Sequence, residues 1–131
     1  MGTQGLENAK KVAYFEYDFS KDGGAVGDIT LRGSALPIGA IVNMGLIHVQ
    51  TAVTSGGSAT LALKLINAED VVAATAKASL TLNALLDTVP DGTAATSVRI
   101  VTAGTKLVAT VAVAALTAGK LIVPLEYYIT G

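Results

Sequence analysis

This chain of 131 residues has no cysteine. Disulfide bridges, zinc–thiolate centres and thiol nucleophiles are therefore excluded together. Tryptophan is also absent, and aromatic residues make up only 5% of the chain, which counts against the aromatic platforms of sugar sites. Charge is sparse as well: Lys, Arg, Asp and Glu total 15%, for a formal net charge of −1. Lys10-Lys11 is the only adjacent basic pair. A nucleic-acid binder draws most of its affinity from neutralising phosphates, so no nucleic-acid partner is expected. No apolar run approaches the ~20 residues of a membrane-spanning helix, and no membrane partner is expected either. The opening "MGTQGLENAKK" lacks the apolar core of a secretory signal. Leu6 stands where N-myristoylation would need Ser or Thr.

What is present points to strands. Hydrophobic residues make up 51% of the chain, much of it Ala, Val and Leu, mixed with Thr and punctuated by 14 glycines. β-Branched residues between Gly-rich turns favour an all-β fold. The length suits one domain, burying roughly two-thirds of the unfolded surface. Low charge and high aliphatic content together predict apolar surface, which marks interfaces.

Residues 1–10 are polar and without period, and read as a flexible N-terminal arm; the sandwich domain then runs over 11–131. "VAYFEYDF" alternates, with Ala13, Phe15, Tyr17 and Phe19 on one face. "GDITLRGS" directs Ile29 and Leu31 inward. In 40–53, Val42, Met44 and Leu46 share one parity while Ile47, Val49 and Val53 share the other. Gly45 lies near the switch, where a bulge lets one strand serve two faces. "TLALKLI" sends Leu61, Leu63 and Leu65 to one side.

"NAEDVVAATAKASL" carries mixed signals: Asn67 suits a helix cap, with Glu69 and Asp70 in the first turn. It is read as a short helix near 68–74, then a strand through Leu82. "LLDTVPDGTAAT" reads as a loop turning at Pro90-Asp91-Gly92. "SVRIV" and "KLVATVAV" read as a hairpin around 102–105, with Leu107, Val111 and Val113 on one face. "LTAG" at 116–119 reads as the turn into a last strand that points Leu121, Val123, Leu125 and Tyr127 one way. Pro124, on the opposite parity, is expected at an edge or bulge. The total is eight or nine short antiparallel strands, the spacing of a jelly-roll-like β-sandwich. The aromatic residues sit in the first and last strands, so pairing of those strands would fasten the two ends together.

The sequence carries no recognisable reactive constellation. Gly56-Gly57 in "TSGGSATLALKL" lacks the Lys-Ser/Thr and helix that a phosphate loop needs; between alternating runs it reads as a hairpin tip. His48, the only histidine, lies between Ile47 and Val49 and reads as a sheet residue, not a metal ligand. "DTVPDG" lacks the alternating oxygen ligands of a calcium loop. No serine sits in a Gly-x-Ser-x-Gly context. No catalytic residue, cofactor or metal site is expected.

The run "DGGAVGDITLRG…LPIGAIVNMGLIHVQTAVTSGGSATLALKL", continued by "EDVVAAT", "LLDTVPDGTAATSV" and "ALTAGKLIVPLEYYI", spans residues 22–129. It resembles small structural proteins encoded among the head genes of tailed bacteriophages and prophages, in particular capsid decoration (cement) and head-fibre proteins. The resemblance implies a homotrimeric β-sandwich docked on the exterior of a mature capsid. Its partner would be the major capsid protein, in virions assembled in the host cytoplasm. It carries over no individual contact residues. From the arm itself, Leu6, Lys10 and Lys11 are the expected capsid or subunit contacts. Two other roles fit the same pattern: a carbohydrate-binding or host-adhesion sandwich, and a tail or neck component.

Overall fold

The computed structural model describes residues 10–129. Its elements in chain order are β1 (Lys11–Asp18), α1 (Phe19–Asp22), β2 (Gly27–Thr30), β3 (Arg32–Gly33), β4 (Ala40–Ser55), β5 (Thr60–Lys64) and β6 (Val72–Ala76). After a 3-10 turn (Lys77–Ser79) come β7 (Leu85–Asp91), β8 (Val98–Arg99), β9 (Val108–Ala112) and β10 (Leu116–Ile129). The larger sheet has the order β3-β1-β10-β4-β7, with β8 also on β4; the smaller has the order β2-β9-β5-β6. All the pairings are antiparallel. Buried side chains from both sheets form one cluster between them, so the fold is a β-sandwich, as its alternation predicts.

The first and last strands do pair. Ala13 lies opposite Leu125, Phe15 opposite Val123 and Tyr17 opposite Leu121, and all six are buried. A period of two in both strands puts every one of these pairs inside at once. Tyr17 is fully enclosed, and its hydroxyl donates to the Gly23 carbonyl at 2.6 Å. Burial, reinforced by the carboxylates of Asp22 and Asp18, pushes its phenol pKa up to about 12.

The phase change in β4 occurs as expected. Ala40 and Val42 are buried on one parity, Ile47, Val49 and Val53 on the other. Against β10 the register shifts between Met44↔Glu126 and Val42↔Tyr127, leaving Asn43 as the extra residue of a bulge. Gly45 is required by packing: a Cβ there would lie 2.6 Å from Leu125 Cδ2 and 3.0 Å from Thr88 Cγ2.

Elsewhere tertiary structure overrides local signals. The helix expected at 68–74 is a turn followed by β6, because the Asp70 carboxylate accepts from the amides of Leu65, Ile66 and Asn67. Those bonds fold the acid back onto the preceding chain, and Val71 and Val72 enter the core. The one α-helix among the described residues is α1, capped by Asp18, whose side chain accepts from the Ser20 amide. The predicted loop at 85–96 begins as strand β7 on the flank of β4.

"SVRIV" and "KLVATVAV" are not a hairpin: β8 joins the larger sheet and β9 the smaller. "LTAG" lies within β10, and the turn falls earlier, at Val113-Ala114. Val113 is accordingly exposed, whereas Leu107 and Val111 are buried. Pro124 sits in the centre of the larger sheet, not at an edge. Its missing N–H is accommodated because the ladder to β4 runs from Ile122↔His48 to Leu125↔Gly45. Gly56-Gly57 joins β4 to β5, which belong to different sheets. It is a corner between the layers and not a hairpin tip.

Candidate interaction surface

The outward face of the larger sheet follows from the register. Across one row, Val12 lies beside Glu126, which lies beside Met44, which lies beside Asp91. Tyr14 lies beside Pro124 in the next row, and Glu16, Ile122, His48 and Leu85 form a third. Tyr14 is 63% exposed and Leu85 65%; Val12, Met44 and Leu46 are exposed as well. An apolar belt, interspersed with Glu126, Asp91, Glu16 and His48, therefore crosses four strands on a face left open among the described residues.

One margin of this belt is ionic. Arg32, from two-residue β3, donates through Nε to Asp22 Oδ1 at 3.1 Å and through Nη1 to Glu16 Oε1 at 3.0 Å. Lys120 Nζ lies 3.5 Å from Glu16 Oε2. The hydrogen bond from Arg32 holds the Glu16 carboxyl below its ordinary range, against a smaller opposing effect of burial. Burial pushes the Asp22 carboxyl up, but the bonds from Arg32 and the Asp18 amide outweigh it and leave the pKa lowered. The two acids in turn hold the Arg32 guanidinium above its usual value.

The other carboxylates also do structural work. Asp28, on the smaller sheet, accepts from Lys64 and Thr110 and is lowered by both, Lys64 first. Asp91 accepts from the hydroxyls of Thr96 and Thr93, which lower its pKa. Among the described residues, no group of three or more His, Asp or Glu side chains is placed to hold a metal ion. His48 lies between Ile122 and Leu85 on the outward face, with no nucleophile hydrogen-bonded to it among the described residues. The polar groups are arranged to hold strands and turns, and this geometry offers contact area more than a reacting centre.

Of the residues expected at contacts, Lys11 opens β1, with Lys10 just before it, at the end of the sheet where β10 finishes. Lys10 Nζ lies 3.5 Å from Glu126 Oε1. Lys11 is exposed opposite Tyr127. Leu6 lies outside the described residues. Apolar surface was expected from composition, but its location in this belt was not. Its signal was present in Val12, Tyr14, Met44 and Leu46, which occupy the non-core parity of strongly alternating strands.

No family model matches the chain, and no curated protein matches it in sequence. Solved structures do match its fold. A chain of the cyanophage Pam1 capsid asymmetric unit aligns with a TM-score of 0.69 at 22% identity, covering 96% of this chain and 89% of that one. A chain of the capsid of Ralstonia phage GP4 aligns at 0.69 and 14%, covering 95% and 87%. A chain from the acidic stable capsid structure of Helicobacter pylori bacteriophage KHP30 aligns at 0.64 and 15%, covering 95% and 91%. The fold is thus one found in bacteriophage capsids, in agreement with the family resemblance read from the sequence.

Proposed function

We propose that this chain is a non-enzymatic structural protein of a phage virion. It binds the outer surface of the capsid as a decoration or cement protein, acts as a trimer, and has the major capsid protein as its partner. The observation that carries the proposal is the fold match to three phage capsid structures over 95–96% of the chain. The apolar belt supports it, since such area is buried once copies and shell are assembled. Acting as a trimer, several modest contacts bridge neighbouring capsomers and add by avidity. The arm bearing Leu6, with Lys10 and Lys11 at its base, straps the protein to shell or neighbour.

Co-sedimentation with empty phage heads, expanded and unexpanded, tests the role. Binding to expanded heads is expected, and binding to neither would remove the decoration role. Light scattering should give three times the chain mass, and a clean monomer would remove the trimer. Deleting residues 1–10 should lower head occupancy; unchanged occupancy and mass would remove the strap.

A further inference from the structure

Tyr14 stands apart from the other aromatic residues. Of the six in the chain, Phe15 and Tyr17 are buried, while Phe19, Tyr127 and Tyr128 are half-buried; Tyr14 alone is exposed. It borders a hollow of about 380 Å³ at the β3 margin of the larger sheet, lined also by Phe15, Glu16, Arg32, Gly33 and Ile122. That volume lies within the ~300–1,000 Å³ of small-molecule sites. Pro124 lies beside Tyr14 in the register and Ile122 beside Glu16, so apolar surface flanks the ring. Arg32 and Glu16 supply the polar part of the lining.

These polar groups are held in place by the protein itself. Arg32 donates through Nε and Nη2 to the two oxygens of Asp22, each at 3.1 Å, and through Nη1 to Glu16 Oε1 at 3.0 Å. The planar fork is therefore fixed before any ligand arrives, and binding costs little further side-chain ordering. Three of its five N–H donors are used, which leaves one on each terminal nitrogen. Glu16 Oε2 meets only Lys120, at 3.5 Å, and keeps a lone pair to spare. The Tyr14 hydroxyl makes no hydrogen bond among the described residues. Donors and acceptors thus stand side by side next to an exposed aromatic ring.

Charge narrows the class of ligand. Glu16, Asp22 and Asp18 are matched by Arg32, Lys120 and Lys21 around the hollow. An anion drawn to Arg32 meets Glu16, and a cation drawn to Glu16 meets Arg32. A wholly apolar group would cover the spare N–H groups and lone pairs without replacing their water, which is unfavourable. A sugar ring satisfies every condition. Its C–H face suits the negative face of an aromatic ring, and its adjacent hydroxyls each donate and accept. The low aromatic content of the chain argues against a platform of several stacked rings, but one tyrosine serves one sugar.

We infer that this hollow binds a neutral saccharide, with one pyranose ring stacked on Tyr14 and two adjacent hydroxyls held by Arg32 and Glu16. This binding site is additional to the decoration role and does not depend on it.

The test is saturation-transfer NMR on the full chain with methyl glucoside, mannoside and galactoside, their neutral oligosaccharides, and glucuronic acid. At least one neutral sugar should bind, ahead of glucuronic acid. Affinity that rises with chain length assigns a surface polysaccharide, and equal affinity a free sugar. Tyr14→Ser should weaken binding tenfold or more, whereas Tyr14→Phe keeps the ring and should stay within threefold of the parent. Leu85→Ser removes an equally exposed apolar side chain from the far edge of the same face and should bind as the parent does. Thermal midpoints of all three variants should match the parent. The inference is overturned if no neutral sugar binds, if glucuronic acid binds in preference, or if Tyr14→Ser binds unchanged. It is overturned equally if Leu85→Ser loses as much as Tyr14→Ser, since the contact is then general apolar adhesion. Head co-sedimentation reads the decoration role separately.

Discussion

The two sheets share a core but meet solvent differently. The smaller sheet is finished outward with Thr60, Ala62, Thr110 and Ala112, plus the exposed pair of Lys64 with Asp28. Thr60, Thr110 and Ala112 are short side chains that lose little by meeting water, and Ala62 between them is buried. The larger sheet turns outward Tyr14, Met44, Leu46 and Leu85, bordered by the network around Arg32. Water alone does not select a belt of that kind on one side of a sandwich and alanine and threonine on the other. Under the proposed virion role, the difference separates a face completed by the fold from one left for a partner to complete.

The largest expected break in this contrast lies at the centre of the larger sheet. Gly45→Val drives a side chain against Leu125 and Thr88 and should cost ~2–3 kcal/mol in urea unfolding. Ala112→Val, on the smaller sheet's outward side, should stay within ~0.5 kcal/mol.

Next come the ionic margins. Asp22→Ala leaves the Asp18 amide without its acceptor and the Arg32 guanidinium with Glu16 alone and should cost ~1–3 kcal/mol. Asp28→Ala on the smaller sheet should barely move the unfolding midpoint. The depressed carboxyls of Glu16 and Asp22 stabilise the fold above their unfolded pKa near 4. That contribution is lost as pH falls through their lower folded values. Acid titration should therefore destabilise the parent more steeply than Asp22→Ala.

Tyr17→Phe removes one buried hydrogen bond and should cost ~1 kcal/mol. The raised phenol pKa gives the opposite sign with pH. Its stabilisation is complete below the unfolded pKa near 10 and is lost as pH climbs toward about 12. The Phe variant should show a shallower alkaline loss in circular dichroism.

The smallest effect on stability belongs to the faces themselves. Tyr14→Ser and Thr110→Ala should each shift unfolding by under ~0.5 kcal/mol. Only Tyr14→Ser should weaken retention on a hydrophobic column, and equal retention would undo the contrast.

Strand interiors were legible because a period of two is a local property. Ala13, Phe15 and Tyr17 opposite Leu125, Val123 and Leu121 follow from alternation in two segments, and the switch near Gly45 shows as a change of parity. Connections were harder to read. Gly56-Gly57 between alternating runs looks the same whether the chain turns in the plane of a sheet or steps ~10 Å to the facing one. β7 was hidden because Asp87, Pro90 and Asp91 carry turn propensity, and only pairing with β4 makes them a strand. Asn67, Glu69 and Asp70 resembled a helix start because the same oxygens that cap helices also bind the amides of a tight turn. The exposed belt was legible only after register was known, since no single strand reveals its neighbours. The positive φ of Val113, 75°, left no sequence signal, because nothing in "AVAAL" announces a left-handed valine.

The placement of β10 between β1 and β4 also governs when the molecule can form. The larger sheet cannot close until residues 116–129, the last strand of the described chain to be synthesised, have entered its middle. Until then β1 and β4 present unpaired edges to each other and to neighbouring chains. Closing them demands contacts across more than a hundred residues of sequence, a topology that folds slowly. During synthesis the nascent chain thus lacks the central strand of its larger sheet, and of the two edges left open only β1 carries charge, in Lys11, Glu16 and Asp18, while β4 has none to discourage pairing.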